Sequence, residues 1–133
     1  MTIASAEPYQ GRHLIADLHG CSGLDDLALV RAALVGGAAA AGAHLIEVLL
    51  HSFGPGQGIT GVALLAESHI SIHSWPEHGY AAIDIFMCGR RNDPAAALGV
   101  IAAALGAARV ATHDIERGYC ADMASPVQPP PIA

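Results

Sequence analysis

The chain has 133 residues, a length that suits one domain with its own core, and 53% are apolar but only 5% aromatic, so Ala, Val, Leu and Ile must build that core. The formal charge is −6 and the six basic residues are arginines, scattered apart from Arg90–Arg91, which excludes a phosphate-binding surface and argues against nucleic acid as a partner. There is no lysine, which excludes the usual pyridoxal-phosphate linkage, and no apolar run reaches the roughly 18 residues that span a bilayer.

Met1–Gln10 lacks the basic and then apolar pattern of a secretory signal. Cys21, Cys88 and Cys120 show neither metal-like nor disulfide-like spacing. Reduced thiols in the cytoplasm are expected.

His13–His19 alternates, Leu14, Ala16 and Leu18 against Ile15, Asp17 and His19, which predicts a strand. Ser22-Gly-Leu-Asp25 resembles a capping box. Leu27, Val30, Leu34, Ala38 and Ala41 follow at helical spacing, and Gly42 can end the helix. Gly36–Gly37 weakens it by about 1 kcal/mol per glycine relative to Ala. Strands are predicted over Leu45–Phe53, Gly61–Ala66, Ile70–Ser74 and Tyr80–Cys88, with a loop at Gly54–Gly58. Asp93-Pro94 reads as a cap and first helical residue, Leu98, Ile101 and Leu105 as the apolar stripe, and Gly106 as the stop. Arg109–Glu116 is the last predicted strand. The tail from 121 to 133 holds four of the eight prolines and is expected to be disordered. The order β-α-β-β-β-β-α-β implies one α/β domain, a two-layer α+β sandwich with a mostly antiparallel sheet and two helices on one face.

The segment 60–80 crowds reactive groups between apolar strands. His51, Glu67, His69 and His73 could ligate a metal, but residues four apart on a strand stand about 13 Å from each other, too far to share one zinc. Ser68 with His73, or Cys88 with a histidine, could form a hydrolase nucleophile, yet no Gly-x-Ser-x-Gly elbow is present. Self-processing is the third reading. Glu67–Ser68 joins two strands, so its peptide bond can be held in a strained turn. Ser68 can attack the carbonyl before it, with His73 as base and Thr60 as donor to the carbonyl oxygen. Taken singly, each of these residues also has a bland reading: Cys88 as strand filler, His73 as a structural histidine, Phe53 as core, Glu77 as a solvated turn.

The motifs decide among them. Gly11-Arg-His-Leu14, Glu67-Ser-His-Ile-Ser-Ile-His73, Trp75-Pro-Glu-His-Gly-Tyr80, Ala81-Ala-Ile-Asp84 and Cys88-Gly89 resemble the prokaryotic S-adenosylmethionine decarboxylase proenzyme family, over about Gly11 to Gly118. The resemblance implies cleavage after Glu67 into a β chain, 1–67, and an α chain, 68–133. Ser68 then becomes a pyruvoyl cofactor that forms a Schiff base with the substrate amine. It implies His73 as processing base, Cys88 as catalytic proton donor, Glu77 as a carboxylate at the substrate and Phe53 as the adenine stacker. Thr60 and Trp75 complete the expected substrate site. The family's assembly implies a homodimer of processed αβ units, and its activity implies spermidine biosynthesis.

This sequence departs from the family pattern at Ser52, where a basic residue is common, in the longer glycine-rich loop Gly54–Gly58, and at Thr60, where a serine is usual. Relatives that decarboxylate L-ornithine or L-arginine, and an unprocessed binding homologue, are the alternative expectations.

Overall fold

The computed structural model describes residues 9–88 and 92–119. The predicted tail, Cys120, Gly89 and Arg90–Arg91 lie outside the described residues. The elements are β1 (Tyr9–His19), α1 (Leu27–Ala40), β2 (Leu45–Ser52), β3 (Ile59–Leu65), β4 (Ser68–Trp75), a 3-10 turn (Pro76–His78), β5 (Tyr80–Cys88), α2 (Pro94–Ala104) and β6 (Arg109–Tyr119). This is the order expected, with strand ends extended by a few residues and the short 3-10 turn unforeseen. Among the described residues no helix is long and apolar enough to cross a membrane.

The six strands form one sheet in the order β2-β3-β4-β5-β1-β6, every neighbouring pair antiparallel. β1 therefore sits between β5 and β6, far from β2 and β3 in the sheet. Strand alternation sends one face to the helices. Leu14, Ala16 and Leu18 of β1, Ile70, Ile72 and Ser74 of β4, and Ala81, Ile83, Ile85 and Met87 of β5 are buried there. α1 packs on β2 and β3, α2 on β1 and β5, and the helices pack on each other. β6 lies at the sheet edge and is exposed along its length.

Two local readings change. Asp26, not Ser22, caps α1: its carboxylate accepts from the Leu29 N–H at 3.1 Å. The bend at Gly23, φ 72, delays the helix by a turn. The glycine pair is also more than a weak point. A Cβ on Gly37 would stand 2.9 Å from Ile101 side-chain carbons and 3.2 Å from the Ala97 carbonyl, so α1 crosses α2 there. The predicted α2 cap holds, with the Asp93 carboxylate 3.1 Å from the Ala96 N–H.

Buried Ser74 fixes the start of β3. Its hydroxyl donates to the Leu24 carbonyl at 2.8 Å and accepts from the Ile59 N–H at 2.9 Å. Gly58 is required beside it, since a Cβ would fall 2.1 Å from the Ser74 carbonyl oxygen. That close approach brings Phe53 and Thr60 into place at the end of the sheet.

Candidate active site

The opposite sheet face carries the chemistry. Alternation places on it Phe53 beyond β2, Thr60 on β3, His69, Ser71, His73 and Trp75 on β4, Tyr80, Asp84, Phe86 and Cys88 on β5, and His13, Asp17 and His19 on β1. These residues fall into two groups at opposite ends of the strands.

The first group surrounds Glu67–Ser68. Leu65 pairs with Ser68, so Ala66 and Glu67 alone make the turn between β3 and β4. Glu67 has φ 63, the left-handed region that a residue with a Cβ seldom occupies. The Ser68 hydroxyl donates to the Ala66 carbonyl at 3.2 Å. The Cys88 thiol donates to the Glu67 carbonyl oxygen at 3.5 Å. That oxygen belongs to the bond predicted to break, and within one chain the thiol is the side chain that meets it.

The second group is an aromatic row. Ring centroids step from His51 to Phe53 at 4.8 Å, Phe53 to His73 at 6.3 Å, His73 to Trp75 at 4.1 Å, Trp75 to Tyr80 at 5.0 Å and Tyr80 to His19 at 5.3 Å. Thr60 pairs directly with His73, and its hydroxyl donates to the Ile72 carbonyl at 3.5 Å. Tyr80 donates to Asp17 at 2.5 Å, and that bond holds its phenol above the ordinary tyrosine range. Glu77 is exposed in the 3-10 turn beside Trp75.

His73 lies five residues along β4 from Ser68, about 16 Å in an extended strand. One chain thus brings Ser68, Glu67 and Cys88 together but leaves His73, Thr60, Phe53, Trp75 and Glu77 at the far end. Residues passed over in the sequence stand on the reactive side. His13 is 3.3 Å from the Asp84 carboxylate, Ser71 donates to the same carboxylate at 3.3 Å, and Phe86 lies 5.9 Å from the rings of both His13 and His69. His13 lies on β1, between β5 and β6. Its place on a central strand follows from β6 pairing beyond β1, which no local pattern announces. Cys21 is partly buried, and that burial pushes its thiol up.

Known proteins resemble this chain over most of its length. The family model described as S-adenosylmethionine decarboxylase matches residues 12–118. A proenzyme of Parasynechococcus marenigrum bearing that name is 47% identical over 122 residues, covering 90% of this chain and 94% of the relative. Another from Caldicellulosiruptor saccharolyticus is 46% identical over 110 residues, covering 81% and 88%. The crystal structure of the adenosylmethionine decarboxylase from Aquifex aeolicus superposes with TM-score 0.77 at 35% identity, covering 89% of this chain and 98% of that one. Fold and sequence thus fall in the class of decarboxylase proenzymes. The chain belongs to the S-adenosylmethionine decarboxylase family.

The residues present fit the ketone that such a proenzyme makes from its own serine. A serine follows a turn residue of positive φ, a thiol meets the intervening carbonyl, and no lysine competes for the role of carbonyl catalyst.

Proposed function

We propose that the chain cuts its Glu67–Ser68 bond, carries a pyruvoyl group at position 68, and decarboxylates S-adenosylmethionine to S-adenosylmethioninamine and CO2. The observation that carries this reading is the Cys88 thiol at 3.5 Å from the Glu67 carbonyl oxygen, across a turn held at φ 63.

The Ser68 hydroxyl attacks the Glu67 carbonyl carbon, and negative charge develops on the oxygen that Cys88 faces. The Ser68 nitrogen then leaves with a proton, converting amide to ester. Loss of the Ser68 α-proton expels the Glu67 carboxylate and leaves dehydroalanine. Tautomerisation and water replace its nitrogen by oxygen and release ammonia. Once formed, the ketone supplies a sink for the electron pair left when CO2 departs. Cys88, no longer bound to the Glu67 carbonyl, holds the proton that the substrate α-carbon takes up.

His73 acts on this bond as base from a second copy of the chain. The separation of about 16 Å within one chain supports that arrangement. So does the apolar character of the face between them, where Leu49, Phe53, Leu64 and Ile115 are 51%, 54%, 39% and 44% exposed. Two sheets packed face to face, with strands running in opposite senses, would bring the aromatic row of one copy over the Ser68 hairpin of the other. The row then offers π surface to adenine and to the sulfonium cation, and Glu77 a carboxylate to ribose hydroxyls.

Intact mass and a side-by-side decarboxylation assay test the reading. The expected result is two fragments split after Glu67, one uncut chain for Ser68→Ala, and CO2 released from S-adenosylmethionine but not from ornithine or arginine. A Ser68→Ala chain cut at the same bond, or turnover of ornithine instead, would sink it.

A further inference from the structure

Arg117 has no part in the reading so far, yet it stands on the reactive face. In the antiparallel ladders Gly11 of β1 pairs with Cys88 on one side and Arg117 on the other. The three positions form one row across the sheet, facing the same way. Gly11 leaves the middle of that row empty of side chain, and a Cβ there would stand 2.8 Å from the Phe86 ring. The Phe86 ring leans from β5 into this gap over β1, towards β6, where it meets Arg117. The guanidinium carbon of Arg117 lies 5.3 Å from the centroid of the Phe86 ring, two residues from Cys88 on the same strand face. The carboxylates of the neighbouring strands are already engaged: Asp114 is bound by Arg12 on the helix side of the sheet, and Asp84 lies beside His13. Arg117 makes no ion pair among the described residues.

The proposed substrate carries one carboxylate, on the carbon that must lie between position 68 and the Cys88 thiol. We infer that Arg117 binds this α-carboxylate and fixes its orientation, with Phe86 holding the guanidinium edge-outward. The inference rests on the decarboxylase reading above. A guanidinium suits the role because its planar fork matches both carboxylate oxygens, whereas an ammonium offers a point charge. Stacking on Phe86 keeps one face of the cation occupied and leaves its N–H edge for the ligand. Held this way, the carboxylate enters in a fixed direction, and it leaves as neutral CO2, for which the cation has no hold.

The test uses ligands that cannot react. A carboxypropyl thioether of deoxythioadenosine keeps the nucleoside and the carboxylate but lacks the amine, and its methyl ester lacks the charge. Calorimetry on processed wild type, Arg117→Gln, Arg117→Lys and Phe86→Leu reads both ligands, beside mass analysis of cutting. The expected result is normal cutting in all four. Arg117→Gln should bind the acid about tenfold or more weakly with the ester unchanged, and should show a raised KM for S-adenosylmethionine. Arg117→Lys should recover part of the loss, and Phe86→Leu should weaken the acid alone. Equal loss for acid and ester, or none for either, would overturn the role of Arg117 while leaving wild-type turnover intact. Absence of wild-type turnover of S-adenosylmethionine would instead remove the reading on which it rests.

Discussion

Cys88 connects two reactions through one sulfur. In the proposed function its thiol, which faces the Glu67 carbonyl, serves the cut first and the protonation of product afterwards. Cys88→Ala should therefore slow processing as well as turnover, the former by about tenfold or more, given what loss of one such donor does elsewhere. Gel densitometry of the cut fraction against time checks this, and a variant cut at the wild-type rate would confine the thiol to the second step. The sequence pointed to Cys88 only for that second step, because nothing in a linear pattern says which side chain meets a carbonyl two strands away. Glu67, Ser68 and Cys88 were legible as a motif; the contact of the thiol with the Glu67 carbonyl was not. Tyr80 offers a further check at this scale. Its hydrogen bond to Asp17 raises the folded phenol above its unfolded value, so the stabilisation is complete below the ordinary tyrosine range and is lost as pH rises through the raised value. Ultraviolet titration should show Tyr80 ionising late, and Asp17→Asn should bring it back towards the ordinary range.

At the level of elements, strand phase was legible and helix contacts were not. Ile83, Ile85 and Met87 alternate with Asp84, Phe86 and Cys88, and the structure buries the first set and opens the second. In α1 the same reasoning ranked Gly36 and Gly37 alike. Packing separates them: Gly37 lies under Ile101 and the Ala97 carbonyl, while Gly36 meets a single methyl of exposed Val100 at 3.2 Å. Gly37→Ala should lower stability by about 1 kcal/mol or more, since crowding at the crossing outweighs the helix propensity gained. Gly36→Ala should leave the melting temperature unchanged or raise it. Equal responses would contradict the crossing. Helix length came through because Asp93, Pro94 and Gly106 are local punctuation, whereas the Asp26 cap was missed because a positive-φ glycine reset the chain after Ser22.

For the whole molecule, the divided site makes a prediction that no single residue could. If His73 serves the hairpin of its partner, mixed assemblies of Ser68→Ala and His73→Ala chains contain one interface with every group intact. Co-expression of the two inactive variants should restore up to about a quarter of wild-type activity under random pairing. No recovery would place the base within its own chain. The strand spacing that keeps His69 and His73 from sharing a metal also separates Ser68 from His73, so the division was legible within the chain; what the sequence lacked was any mark of which copy supplies the base.

The sheet order has one more result. β1, before the cut, is hydrogen-bonded on both flanks to strands that come after it, and β3 remains zipped to β4. Severing the hairpin therefore frees neither piece. The two products of the proposed cut would stay woven through one another like warp and weft, and native chromatography should carry them as a single species that separates only when the fabric itself is dissolved by denaturant. Maturation in such a molecule can alter the chemistry of one residue and leave the architecture in place.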